Sequence, residues 1–296
     1  MTNNYKQHNL VNMDKMLHDA KEGHYAILHI NAVNYDWIKV TILTAQETNS
    51  PIIVALTEKS MKGIISPVGI AHMVYDIMDT YKISVPVALH LDHGSYDAAV
   101  ECIKAGFSSV MYDGSKEPID INIKKTNEIL ALAKQYDVSV EGEVGAIGGK
   151  EDGVTGNGEQ ANPEECSRLA ATGISCLAAG IGNVHGIYPA DWKGINLKLL
   201  EEIKAHTNNI PLVLHGGSGI PTEQVQEAIK LGVCKVNVGT ETLLAFTDAL
   251  APYFLSGKHK EGKGFDTRKY FPIGYEGVKQ KIIEKLKMIG SFGKAK

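Results

Sequence analysis

Short apolar runs recur along the chain, each followed by a segment whose apolar positions fall at helical spacing. The runs with strand character are Ala26 to Ile30, Ile52 to Leu56, Val85 to Leu91, Ser109 to Tyr112, Val138 to Glu143, Cys176 to Ala179, Pro211 to Leu214 and Cys234 to Val238. Amphipathic stretches such as Asp97 to Ala105 and Thr222 to Leu231 lie between them. Asn162-Pro163 and Pro221-Thr222 read as helix starts, and Gly106 and Gly232 as helix stops. Eight strands alternating with helices predict a parallel sheet, and eight is the number that closes a barrel. An open doubly wound sheet needs a glycine-rich turn after its first strand, whereas Asn31-Ala32-Val33-Asn34 contains no glycine. The pattern therefore predicts an α/β fold, a (β/α)8 TIM barrel. No proline- or serine-rich linker divides the chain, so residues 1–296 read as a single domain, with a C-terminal extension from about 257 to 296 after the last barrel helix.

Two connections are long: Gly145 to Asn162 after strand five, and the lysine-rich stretch from Gly257 to Tyr275. Loops of this length are usually functional or disordered, and loops after barrel strands form the catalytic face. Polar residues gather at those strand ends. Strand three ends in His90-Leu91-Asp92-His93-Gly94, strand four in Asp113-Gly114-Ser115, and strand five carries Glu141-Gly142-Glu143. Strand six leads into Gly182-Asn183-Val184-His185-Gly186, strand seven ends in His215-Gly216-Gly217-Ser218-Gly219, and strand eight in Asn237-Val238-Gly239-Thr240.

Composition narrows the class. Of 296 residues 44% are hydrophobic and 22% charged, a globular balance. A net charge of −4 and a pI near 6.3 give no basic footprint for nucleic acid or an anionic membrane. The apolar runs are too short to span a bilayer, and the first residues lack the apolar core of a secretory signal, so a cytoplasmic protein is expected. Cys102, Cys166, Cys176 and Cys234 are scattered without metal or disulfide spacing and read as small buried residues.

The three His-Gly pairs at His93, His185 and His215 stand out against that background. They lie too far apart in sequence to form a local motif, but barrel closure brings strand ends together. Three imidazoles facing one axis suit Zn²⁺ with an open fourth position. Asp92, next to one of them, is placed to move protons at a bound substrate. His90 shares a strand face with Asp92 and reads as a packing or supporting residue. The glycine-rich turns after strands seven and eight lie where barrel enzymes commonly bind phosphate through backbone N–H groups and a helix N-terminus.

The segments LHLDHG, GFSSVMYDGS, EGEVGAIGGKEDGV, GNVHG, LVLHGGSGIP, KVNVGTE and DTRKYF resemble, in order from about Met13 to Ala295, the class II zinc-dependent fructose-bisphosphate aldolases and their tagatose-bisphosphate relatives. The resemblance implies reversible cleavage of fructose 1,6-bisphosphate to dihydroxyacetone phosphate and glyceraldehyde 3-phosphate. It implies His93, His185 and His215 as catalytic zinc ligands, with Asp113 and Glu143 at a second or displaced metal position and Glu141 as structural. Asp92 matches the residue that exchanges a proton with the C4 hydroxyl. Glu151 matches the acid that handles the dihydroxyacetone phosphate proton. Asn31, Thr57, Gly186, Gly216, Gly217, Ser218, Asn237, Val238, Gly239 and Thr240 match positions around the ketone and C1 phosphate. A monovalent cation, Na⁺ or K⁺, is implied near Gly186 and Gly216. Arg268 matches the arginine that grips the C6 phosphate, supplied in many members by the partner subunit, so a homodimer or homotetramer is expected.

Departures from the family pattern lie around the substrate. Thr57-Glu58-Lys59 replaces a Ser-Glu-Gly, Ala32 and Val33 interrupt the loop after strand one, Thr267 stands for a proline, and Gly239 for a polar residue. None touches the proposed ligands or Asp92, so another phosphorylated ketose is the alternative substrate. A metal-dependent barrel hydrolase would show a His-x-His pair on strand one, where His29 stands alone. A catalytically silent barrel would have lost a ligand.

Overall fold

The computed structural model describes residues 4–151, 154–156 and 158–296, with side chains described outside 150–157. Eight parallel strands close a barrel: β1 (Ile27–Asn31), β2 (Ile52–Thr57), β3 (Val87–Gly94), β4 (Ser109–Tyr112), β5 (Ser139–Val144), β6 (Cys176–Ala179), β7 (Leu212–Leu214) and β8 (Val233–Val238). Each strand pairs with the next in sequence, and β8 closes onto β1 with His29 opposite Asn237. The expected strands are all present with ends shifted by up to three residues. The largest shift is in β3, which starts two residues later than its apolar run and continues through Asp92 and His93 to Gly94.

Alternate residues of a strand share a face, and here the inward faces change character along the barrel axis. At the N-terminal end Ile27, Ile53, Ala88, Cys176 and Val213 form an apolar layer. A helix at Met13–Glu22 plugs this end with Met13, Met16, Leu17 and Ala20, spaced for one helical face. Further along, the inward positions become His29, His90, Glu141 and Lys235, then Asn31, Thr57, Asp92, Glu143 and Asn237, all buried. A larger apolar layer lies between the barrel and its surrounding helices.

Two long connections expected as loops contain regular structure. Gly148–Glu151 pairs antiparallel with Val154–Gly156 and parallel with Val184–His185, so the strand-five loop forms a small sheet over the C-terminal rim. The stretch expected to run as a loop to Tyr275 becomes helical at Thr267, where Asp266 accepts from the Arg268 N–H as an N-cap. That helix, Thr267–Met288, packs on helices Thr240–Leu255 and Tyr35–Glu47. No helix of the described residues is long and apolar enough to cross a membrane.

Candidate metal centre

Asp92 and His93 are consecutive, and a regular strand would point them to opposite faces. The ladder between β3 and β4 shifts here. Leu91 pairs with Val110 and Gly94 with Tyr112, so Asp92 and His93 together oppose one residue. This is a β-bulge, and His93 takes a left-handed backbone conformation within it, with φ of +46°. The bulge turns both side chains toward the barrel mouth.

His93 Nε2 then lies 3.2 Å from His185 Nε2 and 2.9 Å from His215 Nδ1. His185 comes from the short strand Val184–His185, and His215 from the residue after β7. The outward nitrogens of two of the rings are fixed. His93 Nδ1 is 2.9 Å from Asp113 Oδ2, and His215 Nε2 is 2.9 Å from Glu141 Oε1. A carboxylate only accepts, so each ring donates outward and turns a bare nitrogen inward. Converging lone pairs of this kind repel unless they share a cation, and carboxylate–imidazole pairs are the usual support for metal ligands.

Where no metal is bound, a proton can take the cation's place. Burial works against a charged His93, but Asp92, the hydrogen bond to Asp113 and Glu143 outweigh it and raise its pKa to about 10. The acidic surround that draws a proton to the inward nitrogen would also draw a metal ion. Burial, then the other two rings, lowers His185 to about 3. Glu143, buried and facing Asp113, is pushed well above the ordinary carboxylate range. The mouth holds more buried acid than its own cations offset. Three nitrogen donors within 4.8 Å of one another and this acidic surround fit a zinc ion.

Glu141, expected to be structural, both supports His215 and pairs with Lys235, whose Nζ lies 2.8 Å from Oε2. Lys235 is not among the site residues expected from the sequence. Its signal was a lysine inside an apolar barrel strand, two residues before Asn237 and so on the same face. His90 donates or accepts at Ser109 Oγ, 2.8 Å away, in its supporting place. Asp92 receives Asn31 Nδ2 at 2.7 Å and Asn237 Nδ2 at 3.5 Å.

The glycine-rich turns meet beside these groups. Gly217 N–H donates to the Asn237 carbonyl at 2.8 Å, and Glu241 N–H to Ser218 Oγ at 3.2 Å. Gly216 has φ of +63°, and a Cβ there would lie 2.2 Å from the Val184 carbonyl oxygen, so the close approach of this turn to the His185 segment requires glycine. Gly186 adjoins that segment, and Val238, Gly239 and Thr240 lead from β8 into the N-terminus of helix Thr240–Leu255. Thr57 is beside Asp92 in register and caps helix Glu58–Ile64 by accepting from Ser60 N–H at 3.1 Å. Arg268 stands apart, exposed and paired with Asp266 at 2.7 Å. The backbone of Glu151 ends a rim strand, and its side chain lies outside the described residues.

A closed parallel barrel with a three-histidine centre and a carboxylate at its mouth defines a metal-dependent barrel enzyme. Residues 11–294 match the family model of class-II fructose-bisphosphate aldolase. The chain is 48% identical to a fructose-bisphosphate aldolase of Mycoplasma pneumoniae, covering 97% of this chain and all of that one. It is 47% identical to one of Ureaplasma parvum, over 97% and 99%. The solved structure of the YdjI aldolase from Escherichia coli K12 superposes with a TM-score of 0.81 at 29% identity, over 97% of this chain and 100% of that one. The chain belongs to the class-II fructose-bisphosphate aldolase family.

Proposed function

We propose that this chain is a zinc-dependent lyase that cleaves fructose 1,6-bisphosphate reversibly to dihydroxyacetone phosphate and glyceraldehyde 3-phosphate. The observation that carries the reading is the convergence of His93, His185 and His215 at the barrel mouth beside the buried carboxylate of Asp92, in a chain of this family. Zinc, when bound by the three rings, supplies Lewis-acid polarisation of the ketone. The chain's own groups do the rest. Asp92 takes the proton of the C4 hydroxyl as the C3–C4 bond breaks, and Asn31 and Asn237 hold its carboxylate in place. Glu151 handles the proton at the dihydroxyacetone phosphate carbon. The N–H groups around Gly216, Gly217 and Ser218, with Val238, Gly239 and Thr240 at a helix N-terminus, receive the C1 phosphate. Thr57 and Gly186 line the same mouth.

Further assignments complete the reading. Asp113, Glu143 and His93 form a second donor group within 4.8 Å and suit a second or displaced metal ion. A monovalent cation, Na⁺ or K⁺, is placed beside Gly186 and Gly216. The chain acts as one domain and as a homodimer or homotetramer in the cytoplasm. Exposed Leu244, Leu255 and Phe265, the last two 87% and 71% accessible, support a second copy seating on this side. Arg268 then serves the C6 phosphate of a neighbouring site.

The test is cleavage of fructose and tagatose bisphosphates by purified enzyme, before and after exhaustive chelation. Fructose bisphosphate is the preferred substrate, chelation abolishes turnover, and Zn²⁺ restores it. Asp92→Ala keeps zinc and loses cleavage by about 10²- to 10⁴-fold. Full activity without metal, or borohydride trapping of a substrate adduct on lysine, would overturn the zinc mechanism. A preference for tagatose bisphosphate would move the substrate.

A further inference from the structure

Below the metal ligands lies a buried histidine that the mechanism so far leaves unused. His29 is fully buried on β1, on the same inward face as Asn31 two residues on. Its Nε2 is 3.1 Å from Asn31 Oδ1, and Asn31 Nδ2 is 2.7 Å from Asp92 Oδ2. The direction of this chain is fixed from its carboxyl end. Asn31 Nδ2 approaches Asp92 Oδ2 at 2.7 Å and Asn237 Nδ2 approaches Oδ1 at 3.5 Å, so both oxygens of the acid face N–H donors. A carboxylate only accepts, so Asn31 turns its NH₂ to Asp92 and its carbonyl to His29. That carbonyl also only accepts, so the His29 proton sits on Nε2. Burial, reinforced by Lys235, holds His29 neutral at ordinary pH. Its Nδ1 meets no hydrogen-bond partner among the described residues, and its ring packs edge-on against His90, with centroids 5.6 Å apart.

We propose that His29 is a positioning residue for proton transfer: by donating from Nε2 to Asn31 it locks the amide that holds the Asp92 carboxylate toward the C4 hydroxyl. The proposal rests on the role given to Asp92 above. Without the His29 donor the buried Asn31 carbonyl has lost its partner, and the amide is free to turn away or present oxygen to oxygen. Among the described residues, Asp92 then loses the approach of His29 Nε2, at 3.7 Å, as well, and keeps the longer contact to Asn237, at 3.5 Å. Enolisation of dihydroxyacetone phosphate is assigned above to a different acid, Glu151, which is not a member of this chain of bonds.

That difference supplies the test. His29→Phe removes the donor and keeps a ring. His29→Gln keeps an N–H donor on a flexible stem, and His29→Leu repeats the removal with a smaller side chain in case the Phe variant does not fold. For each, cleavage of fructose 1,6-bisphosphate, solvent exchange of the dihydroxyacetone phosphate proton, and bound zinc are measured. The expected result for Phe and Leu is a kcat for cleavage lower by about 10- to 100-fold, the range typical of orienting partners. KM, proton exchange and zinc content stay within about twofold, and Gln recovers most of the cleavage rate. Unchanged cleavage in Phe and Leu overturns the proposal, as does an equal fall in cleavage and exchange, or a Gln variant no better than Leu. Asp92→Asn, measured in parallel, separates the two readings. If it leaves cleavage intact, the role of Asp92 fails and this proposal with it. If it abolishes cleavage alone while His29→Leu changes nothing, only the role of His29 fails.

Discussion

Lys235 Nζ lies 2.8 Å from Glu141 Oε2 with both side chains sealed inside the barrel. The same carboxylate uses its other oxygen to hold His215, so one buried acid joins the stability of the barrel to the geometry of the metal centre. Removing one partner of a buried ion pair leaves an uncompensated charge and costs about 3 to 5 kcal/mol. Lys235→Met is expected to destabilise by that order in denaturant melts. Lys235→Met combined with Glu141→Leu recovers much of the stability, because no lone charge remains. It does not recover zinc affinity, which stays about 10- to 100-fold weaker because His215 has lost its support. Competition with a chelator measures that second quantity independently of turnover.

Gly216 is the next point of leverage. Any Cβ there meets the Val184 carbonyl oxygen at 2.2 Å in a backbone conformation that disfavours side chains. Gly216→Ala is expected to cost more than about 1 kcal/mol and to push apart the turns carrying His185 and His215. A thermal melt and a zinc titration should therefore fail together. A loss of stability with zinc affinity intact would separate the turn from the metal centre.

Arg268 tests substrate length and subunit exchange at once. A guanidinium grips a phosphate bidentately where lysine offers a point charge. Charge-assisted bonds are worth about 1.5 to 3 kcal/mol each. Arg268→Ala should lower kcat/KM strongly for the bisphosphate and hardly at all for a ketose 1-phosphate, with Arg268→Lys recovering part of the loss. Refolding Arg268→Ala with a His93→Ala variant should regain activity through hybrid dimers if the arginine serves a neighbouring subunit. No regain would confine it to its own chain.

The four cysteines give a pH-dependent prediction. All are buried, and burial pushes Cys234 up to about 11 and Cys166 up to about 12, with Cys102 and Cys176 raised as well. The reactive species is the thiolate, so native protein at pH 8 should show no fast thiol labelling. Denaturant should release all four. A rapidly labelled thiol in the native state would identify an open path to one of them.

The barrel was legible because its strands are fully buried and read as plain apolar runs, separated by helices with clear starts and stops. The three histidines were legible because each precedes a glycine at such a run's end. The bulge at His93 was not. Register depends on the partner strand, and nothing local marks Asp92 and His93 as sharing one opposite residue. The rim strands Gly148–Glu151 and Val154–Gly156 were hidden because glycine and charge read as loop, and their pairing with Val184–His185 is long-range. The plug helix at Met13–Glu22 carries a readable apolar spacing that was passed over. The chain of bonds from His29 through Asn31 to Asp92 needed two strands placed side by side before any of its distances had meaning.

The plug has a consequence for traffic. With Met13, Met16 and Leu17 packed beneath the layer of Ile27, Ile53 and Ala88, the bore is a vessel stoppered at its base. Among the described residues that base is sealed by apolar side chains, so the sugar reaches the histidines from the mouth. A proton lifted from the substrate has apolar packing beneath it and the rim above, so whatever covers that rim times both the chemistry and the release.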